Sequence, residues 1–424
     1  MRRGPIRIHS VLLCVLLAMT PAVAQKKAKV ATPKEPPKPT SGLLPDGKPF
    51  VSAASAIVID AETGKVLWSK DPDTPRYPAS TTKIMTGLLL LEKCKPTDVI
   101  KAPSDVENVK EASMHLKPGE TLTAKDMLYA LMLRSANDGC YAVACHISGS
   151  VPEFAKLMNE RAKQIGCQNT HFNNPNGLND PTHMTSARDL ALIAREAMKR
   201  PEFRAVVKTQ KQPISRSINR QDLWMINKNR MLKYDRTVDG IKTGYTNPAG
   251  KCFVGSAVRG GYRIITVVMK SEDWAADTKV LLDWGFNGHE WVTYFKPGEI
   301  VGTPRVVSGG ETDELALGVT KVGRALVAKG TSWETDYRFE LKPNLTAPIV
   351  KGQPVGTLVF EDSSGFMQTL PLIAMQDVPV RAPILATSGG RRDLSFGLIA
   401  LLLAGGAYMM RRKNAVAMAS SRPK

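Results

Sequence analysis

What this chain lacks narrows its chemistry first. Histidine is scarce, six in 424 residues, and His115, His146, His171, His183 and His289 are scattered without H-E-x-x-H or a similar ligand spacing. The usual metal-hydrolase pattern is excluded, and neither a metal nor any other cofactor is expected. Cysteine is equally sparse: beyond Cys14 only Cys94, Cys140, Cys145, Cys167 and Cys252 remain, with no C-x-x-C pair to suggest redox or zinc chemistry. An odd number leaves at least one thiol unpaired within the chain, and small buried apolar side chains are the plainer role. Acidic residues are short too, 39 against 58 basic, for a formal charge of +19. That excess admits nucleic acid, anionic lipid or an acidic polymer as partner.

Long apolar runs are confined to the two ends. Arg2, Arg3 and Arg7 precede the run from Val11 to Met19, and Ala22-Val23-Ala24 follows as a small-residue cleavage site. Residues 1–24 therefore read as a secretory signal peptide. Export removes nucleic acid as a partner. Residues 25–47 are rich in Lys and Pro and read as an extended linker. Near the other end, Leu394 to Met410 is uncharged, between Arg391-Arg392 and Arg411-Arg412-Lys413. A helix of that length is about 25 Å long, enough with flanking arginines to anchor in a bilayer of ~30 Å. The basic tail 411–424 favours a cytoplasmic C-terminus for a spanning anchor.

Three short polar words occupy the region between. Ser80-Thr81-Thr82-Lys83 sets a hydroxyl and an amine on one helical face, so Lys83 is placed to take the Ser80 proton. Ser135-Ala136-Asn137 offers a second hydroxyl and a carboxamide, and Lys242-Thr243-Gly244 a cation and a hydroxyl beside a residue without Cβ. Together they supply an acyl-transfer serine enzyme that has no histidine base. Pro78-Ala79 before Ser80 and the apolar run Ile84 to Leu90 after Lys83 place Ser80 in the first turn of a buried helix. Val238 to Thr246 reads as an edge strand able to pair with an extended peptide, and Cys252 to Val258 as its neighbour. Ser217-Ile218-Asn219 is a further S-x-N, read as a decoy.

Patterning gives an α+β organisation. Ala54 to Asp60 and Val66 to Lys70 form a hairpin around Glu62-Thr63-Gly64, and helices run from Lys83 to Glu92 and from Thr123 onward. Thr123 with Asp126, and Ser186 with Asp189, read as helix-starting boxes. From about Trp291 short β-like runs at Glu299-Ile300-Val301, Ala325-Leu326-Val327 and Thr357 to Phe360 alternate with Gly and Pro turns. A catalytic domain over 48–290 and a β-rich domain over 291–382 are expected.

The stretches Tyr77 to Thr86, Phe172 to Leu178, His183 to Leu190 and Asp239 to Thr246, with the three words, resemble the low-molecular-mass penicillin-binding proteins of serine peptidase family S11, the D-alanyl-D-alanine carboxypeptidases. The resemblance spans roughly residues 45 to 380. One departure is Tyr245, where some relatives carry His. The resemblance implies a β-lactamase/transpeptidase-like catalytic domain followed by a β-sandwich-like domain. It implies that Ser80 attacks the carbonyl between the last two residues of a peptidoglycan stem peptide ending in D-Ala-D-Ala, with Lys83 as general base. Ser135 would pass the proton to the leaving amine. Asn137 would bind the substrate amide, and Lys242, Thr243 and Gly244 the end that bears the carboxylate. The backbone N–H groups of Ser80 and Tyr245 would form the oxyanion hole. β-Lactams would acylate the same serine, and the enzyme would sit on the periplasmic face of the inner membrane. A DD-endopeptidase shares all three words. A secreted serine β-lactamase is disfavoured because His171 to Ser186 holds no Glu to activate the deacylating water.

Overall fold

The computed structural model describes residues 41–382 apart from 332–334 and 363. The signal peptide, most of the linker, the apolar segment 394–410 and the basic tail lie outside the described residues. Within them, no helix is long and apolar enough to cross a membrane. The described chain divides into two units, one holding residues up to Ile59 and Val66–Trp284, the other Asp60–Lys65 and the residues from Gly285 onward.

The first unit opens with two short paired strands, β1 (Gly42–Leu43) and β2 (Pro49–Phe50). The hairpin of β3 (Ser55–Asp60) and β4 (Val66–Lys70) follows. Helix α1 (Lys83–Lys93) buries Ile84, Met85, Leu88, Leu89 and Leu90, apolar on nearly every side as a central helix must be. Gly87 keeps it close to its neighbours: a Cβ there would lie 3.1 Å from Leu128 Cδ1 and 3.2 Å from Phe203 Cε2. The short pair β5 (Val99–Lys101) and β6 (Thr121–Thr123) brackets the loop of residues 102–120. Helices α2 (Ala124–Tyr129), α3 (Asn137–Ser148), α4 (Val151–Ile165), α5 (Ala187–Met198) and α6 (Pro201–Lys208) complete the helical region. Thr123 Oγ1 accepts from Asp126 N and Ser186 Oγ from Asp189 N, the caps expected at those two starts.

A small hairpin, β7 (Lys211–Pro213) with β8 (Trp224–Ile226), and the one-turn helix α7 (Met231–Tyr234) lead into β9 (Val238–Thr246), β10 (Gly250–Arg259) and β11 (Tyr262–Ser271). The main sheet is antiparallel with order β4-β3-β11-β10-β9, so β9 is the edge strand. Strands β10 and β11 carry unbroken buried runs, Cys252 to Ala257 and Ile264 to Met269, which fits burial on both faces. Helix α8 (Trp274–Gly288) follows, and its Asp277 ties the sheet's start to its end by accepting from Ser52 N, Ala53 N and Ser271 Oγ.

The second unit is β-rich. β12 (His289–Phe295) comes first, then β13 (Ile300–Gly302), β14 (Leu317–Val319), β15 (Gly323–Ala328), β16 (Asp336–Leu341), β17 (Pro354–Glu361) and β18 (Met367–Ala374). β12 pairs with β15, and the others form a five-stranded sheet of order β13-β14-β18-β17-β16. Leu317, Leu358, Phe360 and Leu372 lie in its core. The five cysteines in the described residues are all free thiols, Cys140 and Cys252 buried.

Candidate active site

Ser80 sits in a single 3₁₀ turn, Ala79–Thr82, that leads into α1 at Lys83. Ser80 is thus in the first turn of the helical run, as expected, and that turn is 3₁₀ rather than α. In a 3₁₀ turn residues i and i+3 eclipse, which points Ser80 and Lys83 the same way. The Lys83 ammonium donates to Ser80 Oγ at 3.0 Å, to Asn137 Oδ1 at 2.8 Å and to the Asn176 carbonyl at 2.6 Å. Its three N–H bonds thus have three acceptors. Burial, opposed in part by Cys140 and aided by Lys228, lowers the Lys83 pKa to about 8.

The second word is bent into place. A short π-helical turn, Ala130–Arg134, ends at Ser135 in the left-handed region, with φ 70 and ψ 38. Its buried hydroxyl has no hydrogen-bond partner among the described residues. Asn137 starts α3, with its N–H on Ala112 O and its Nδ2 on Lys110 O. Asp138 holds the loop that supplies these carbonyls by accepting from Ser113 Oγ, Met114 N and Leu116 N. Arg216 and Glu120, both fully buried, form an ion pair at the same loop, and Arg216 also donates to Met114 O and His115 O.

The third word lies on the edge strand. Gly244 passes so close to the 3₁₀ turn that a Cβ would lie 3.0 Å from Pro78 O and 3.1 Å from Ser80 N. Lys242 is buried, and its Nζ donates to Thr243 O at 3.2 Å. Burial, then repulsion from Lys83 and Lys228, holds its pKa well below the usual lysine range. Tyr245 is exposed and donates its hydroxyl to Asn247.

These pieces border one cleft of about 560 Å³, lined among others by Ser80, Ser135, Asn137, Thr243, Gly244 and Tyr245. Lys83 and Lys242 lie behind its wall. The cleft also takes in Glu111, Asn176, Lys228, Lys251 and Trp274, which the sequence reading did not single out. Lys228 is exposed, yet desolvation by its neighbours, followed by repulsion from Arg134, lowers its pKa. The segment 171–186 anchors the Ser80 turn and the start of α1, with Thr86 Oγ1 donating to Pro175 O. His183 Nδ1 accepts from Asn173 N, so its Nε2 carries the proton toward Thr82 Oγ1 at 3.0 Å, and burial lowers its pKa to about 4. Ser217 and Asn219 stand outside the cleft lining. Ser217 Oγ accepts from Thr121 N, and Asn219 N donates to Glu120.

Comparison with known proteins accounts for both units. Residues 45–273 match the family model described as D-alanyl-D-alanine carboxypeptidase, peptidase S11, and residues 290–380 that of the penicillin-binding protein 5 C-terminal domain. D-alanyl-D-alanine carboxypeptidase DacF of Bacillus subtilis is 33% identical over 381 residues, 88% of this chain and 94% of that protein. DacC of Escherichia coli is 34% identical over 78% of this chain and 85% of its own length. Penicillin-binding protein 5 of Haemophilus influenzae superposes with a TM-score of 0.66 at 30% identity, covering 80% of this chain and all of that one. A hydroxyl bonded to a buried lysine of lowered pKa, beside an edge strand, is the chemistry such enzymes require, and the chain belongs to the serine peptidase S11 family of D-alanyl-D-alanine carboxypeptidases.

Proposed function

We propose that this serine D-alanyl-D-alanine carboxypeptidase works through a Ser80 acyl-enzyme. The observation that carries the assignment is the 3.0 Å contact between the buried Lys83 Nζ and Ser80 Oγ, which lines the cleft. When Lys83 is neutral it has two N–H bonds, enough for Asn137 Oδ1 and Asn176 O, and its lone pair is left to accept the Ser80 proton. Ser80 Oγ then attacks the carbonyl between the two terminal D-alanines. The oxyanion forms at the backbone N–H groups of Ser80 and Tyr245, where one such donor contributes about 3–4 kcal/mol in related sites. As the C–N bond breaks, Ser135 passes a proton to the departing amine, and water hydrolyses the ester that remains. Asn137 holds the peptide amide. Thr243 and the cations Lys242 and Lys228 receive the terminal carboxylate, a charge-assisted contact.

Penicillin, whose strained amide resembles the acyl-D-Ala-D-Ala group, acylates the same oxygen. The test is mass spectrometry of the protein incubated with a penicillin and then with a pentapeptide ending in two D-alanines. Ser80→Ala removes both the covalent adduct and D-alanine release; an adduct that persists in this variant overturns the assignment. Attachment to the periplasmic face of the inner membrane rests on the sequence of 394–410 and is part of the same proposal. A chain truncated before Arg391 should leave the membrane fraction and keep peptide turnover, and retention in that fraction would refute the anchor.

A further inference from the structure

The hairpin of β7 and β8 carries side chains that neither the core nor the cleft uses. Strand alternation buries Met225 completely and leaves Trp224 and Ile226 on the outer face, 49% and 57% exposed. Register pairs Trp224 with Pro213 and Ile226 with Lys211. The Lys211 ammonium lies 4.0 Å from the centroid of the indole. An exposed indole beside exposed aliphatic groups and a cation is the composition of a recognition face.

Charge and position say what it recognises. From Lys208 to Arg236 eight basic residues stand against two acidic ones, and six of the eight remain once Arg216, buried with Glu120, and Arg230, paired with Asp273, are set aside. Both acids are already engaged, Asp222 with Arg134 and Asp235 with Arg259. The face is continuous with the active cleft, because Lys228, two residues beyond Ile226, lines that cleft and its N–H bonds to Leu133 O, two residues before Ser135. Four residues of chain reach no further than about 14 Å. The indole thus lies within about 14 Å of a cleft-lining residue, within the span of a polymer whose side branch occupies the cleft.

We propose that the outer face of this hairpin binds the glycan strand from which the substrate's stem peptide hangs. The flat indole of Trp224 takes the C–H face of a sugar ring, Ile226 and Pro213 extend the apolar contact, and Lys211 faces carboxylates of neighbouring stem peptides. A folded protein partner is the poorer fit, since two three-residue strands fall far short of the ~800 Å² per partner that a stable protein interface buries. The proposal rests on the carboxypeptidase reading.

The experiment compares turnover of a soluble acetylated pentapeptide with turnover of glycan chains bearing the same pentapeptide. Trp224→Ala should lower kcat/KM on the glycan-linked substrate about tenfold, through KM, and leave the soluble peptide within about twofold. Trp224→Tyr should restore most of the loss. Equal loss on both substrates, or loss on neither, overturns the proposal. Co-sedimentation with insoluble peptidoglycan, in a Ser80→Ala background that cannot turn over, reads binding separately. Trp224→Ala should move that protein to the supernatant, and unchanged sedimentation refutes the glycan site. If Trp224→Ala instead abolishes self-association in sedimentation velocity while binding to peptidoglycan persists, the face is a protein contact and the proposal fails. An unsubstituted enzyme inactive on soluble pentapeptide would sink the carboxypeptidase reading, and the sedimentation result would still decide the glycan site.

Discussion

Gly177→Ala puts the support beneath the nucleophile to the test. Gly177 has φ +84, and a Cβ built on it would lie 1.8 Å from the Ala79 carbonyl oxygen and 2.9 Å from Thr82 Oγ1. Both neighbours belong to the turn that holds Ser80. A side chain in the left-handed region costs about 1–2 kcal/mol, and forced overpacking about 1–3 kcal/mol more. For a unit of this size that total of roughly 2–5 kcal/mol lowers Tm by roughly 5–15 °C. The collision has a second consequence. Real Cβ contacts do not fall below 3.0 Å, so the turn or Asn176, whose carbonyl holds Lys83, must move by about 1.2 Å. Misplacement on that scale costs on the order of 10²-fold in rate. Gly166 supplies the control, with φ +98 and nothing within 4 Å of a built Cβ. Gly166→Ala should lose only the backbone share, about 1–2 kcal/mol, with unchanged turnover. Calorimetry and a D-alanine release assay on both variants separate the two effects. Equal losses of stability and rate in the two variants, or wild-type turnover by Gly177→Ala, would refute the reasoning.

Three further outcomes follow from the site. Since Lys83 must be neutral to act and titrates near 8, penicillin acylation should rise with pH through that region. Lys228→Met removes a cation that disfavours the Lys83 ammonium, so the Lys83 pKa rises and the limb moves alkaline; an unmoved limb would show that Lys228 does not act on Lys83. Ser217→Ala forfeits one exposed bond from Thr121 N, less than about 1 kcal/mol, and should leave D-alanine release within twofold, whereas Ser135→Ala should lower it by roughly 10²–10⁴. A loss in Ser217→Ala matching that of Ser135→Ala would mean the wrong S-x-N was chosen. Finally, His183 has a folded pKa of about 4, below its ordinary 6.5, so its neutral form stabilises the fold fully above pH 6.5 and that stability is lost as pH falls toward 4. Denaturant midpoints should drop across this window by the equivalent of about 3 kcal/mol in the native chain and by less in His183→Gln.

How far the site could be read in advance depended on how locally each part is encoded. The hairpin of β3 and β4, the edge strand β9, the buried α1 and the caps at Thr123 and Ser186 follow from period, apolar runs and short-range hydrogen bonds, and the structure has them. The three words were legible because each joins chemically matched groups within three residues. Lys228, Glu111 and Trp274 were not, because each reaches the cleft from a loop or an element end with no periodic signal. The bond from Lys83 to the Asn176 carbonyl spans 93 residues, and the Arg216–Glu120 pair 96. The left-handed backbone of Ala79 and Ser135 is also silent in sequence, since neither residue prefers it. Those conformations are imposed by tertiary packing around the turn and the loop.

Two lysines buried behind one wall are asked for opposite charge states. In the proposed mechanism Lys83 is neutral to accept a proton, while Lys242 is cationic to help hold a carboxylate, yet burial depresses both and the Lys83 ammonium further disfavours that of Lys242, a repulsion that by Coulomb's law acts on both partners. On the proposed mechanism the substrate resolves the conflict. Its terminal carboxylate, arriving at Thr243, would stabilise the Lys242 ammonium, and that restored charge would in turn push the Lys83 proton off. Binding and activation of the base would thereby be coupled, so a ligand without the carboxylate should neither bind well nor prepare Lys83. Calorimetric titration of Ser80→Ala protein with a D-Ala-D-Ala peptide, in buffers of different ionisation enthalpy, reads the proton exchange. An amidated peptide should show weaker binding and little dependence on the buffer, while the free acid should show a clear one that Lys242→Met removes. Identical proton exchange by acid and amide would mean that the charge on Lys242 is set by the protein alone, and the coupling between carboxylate recognition and base activation would have to be abandoned.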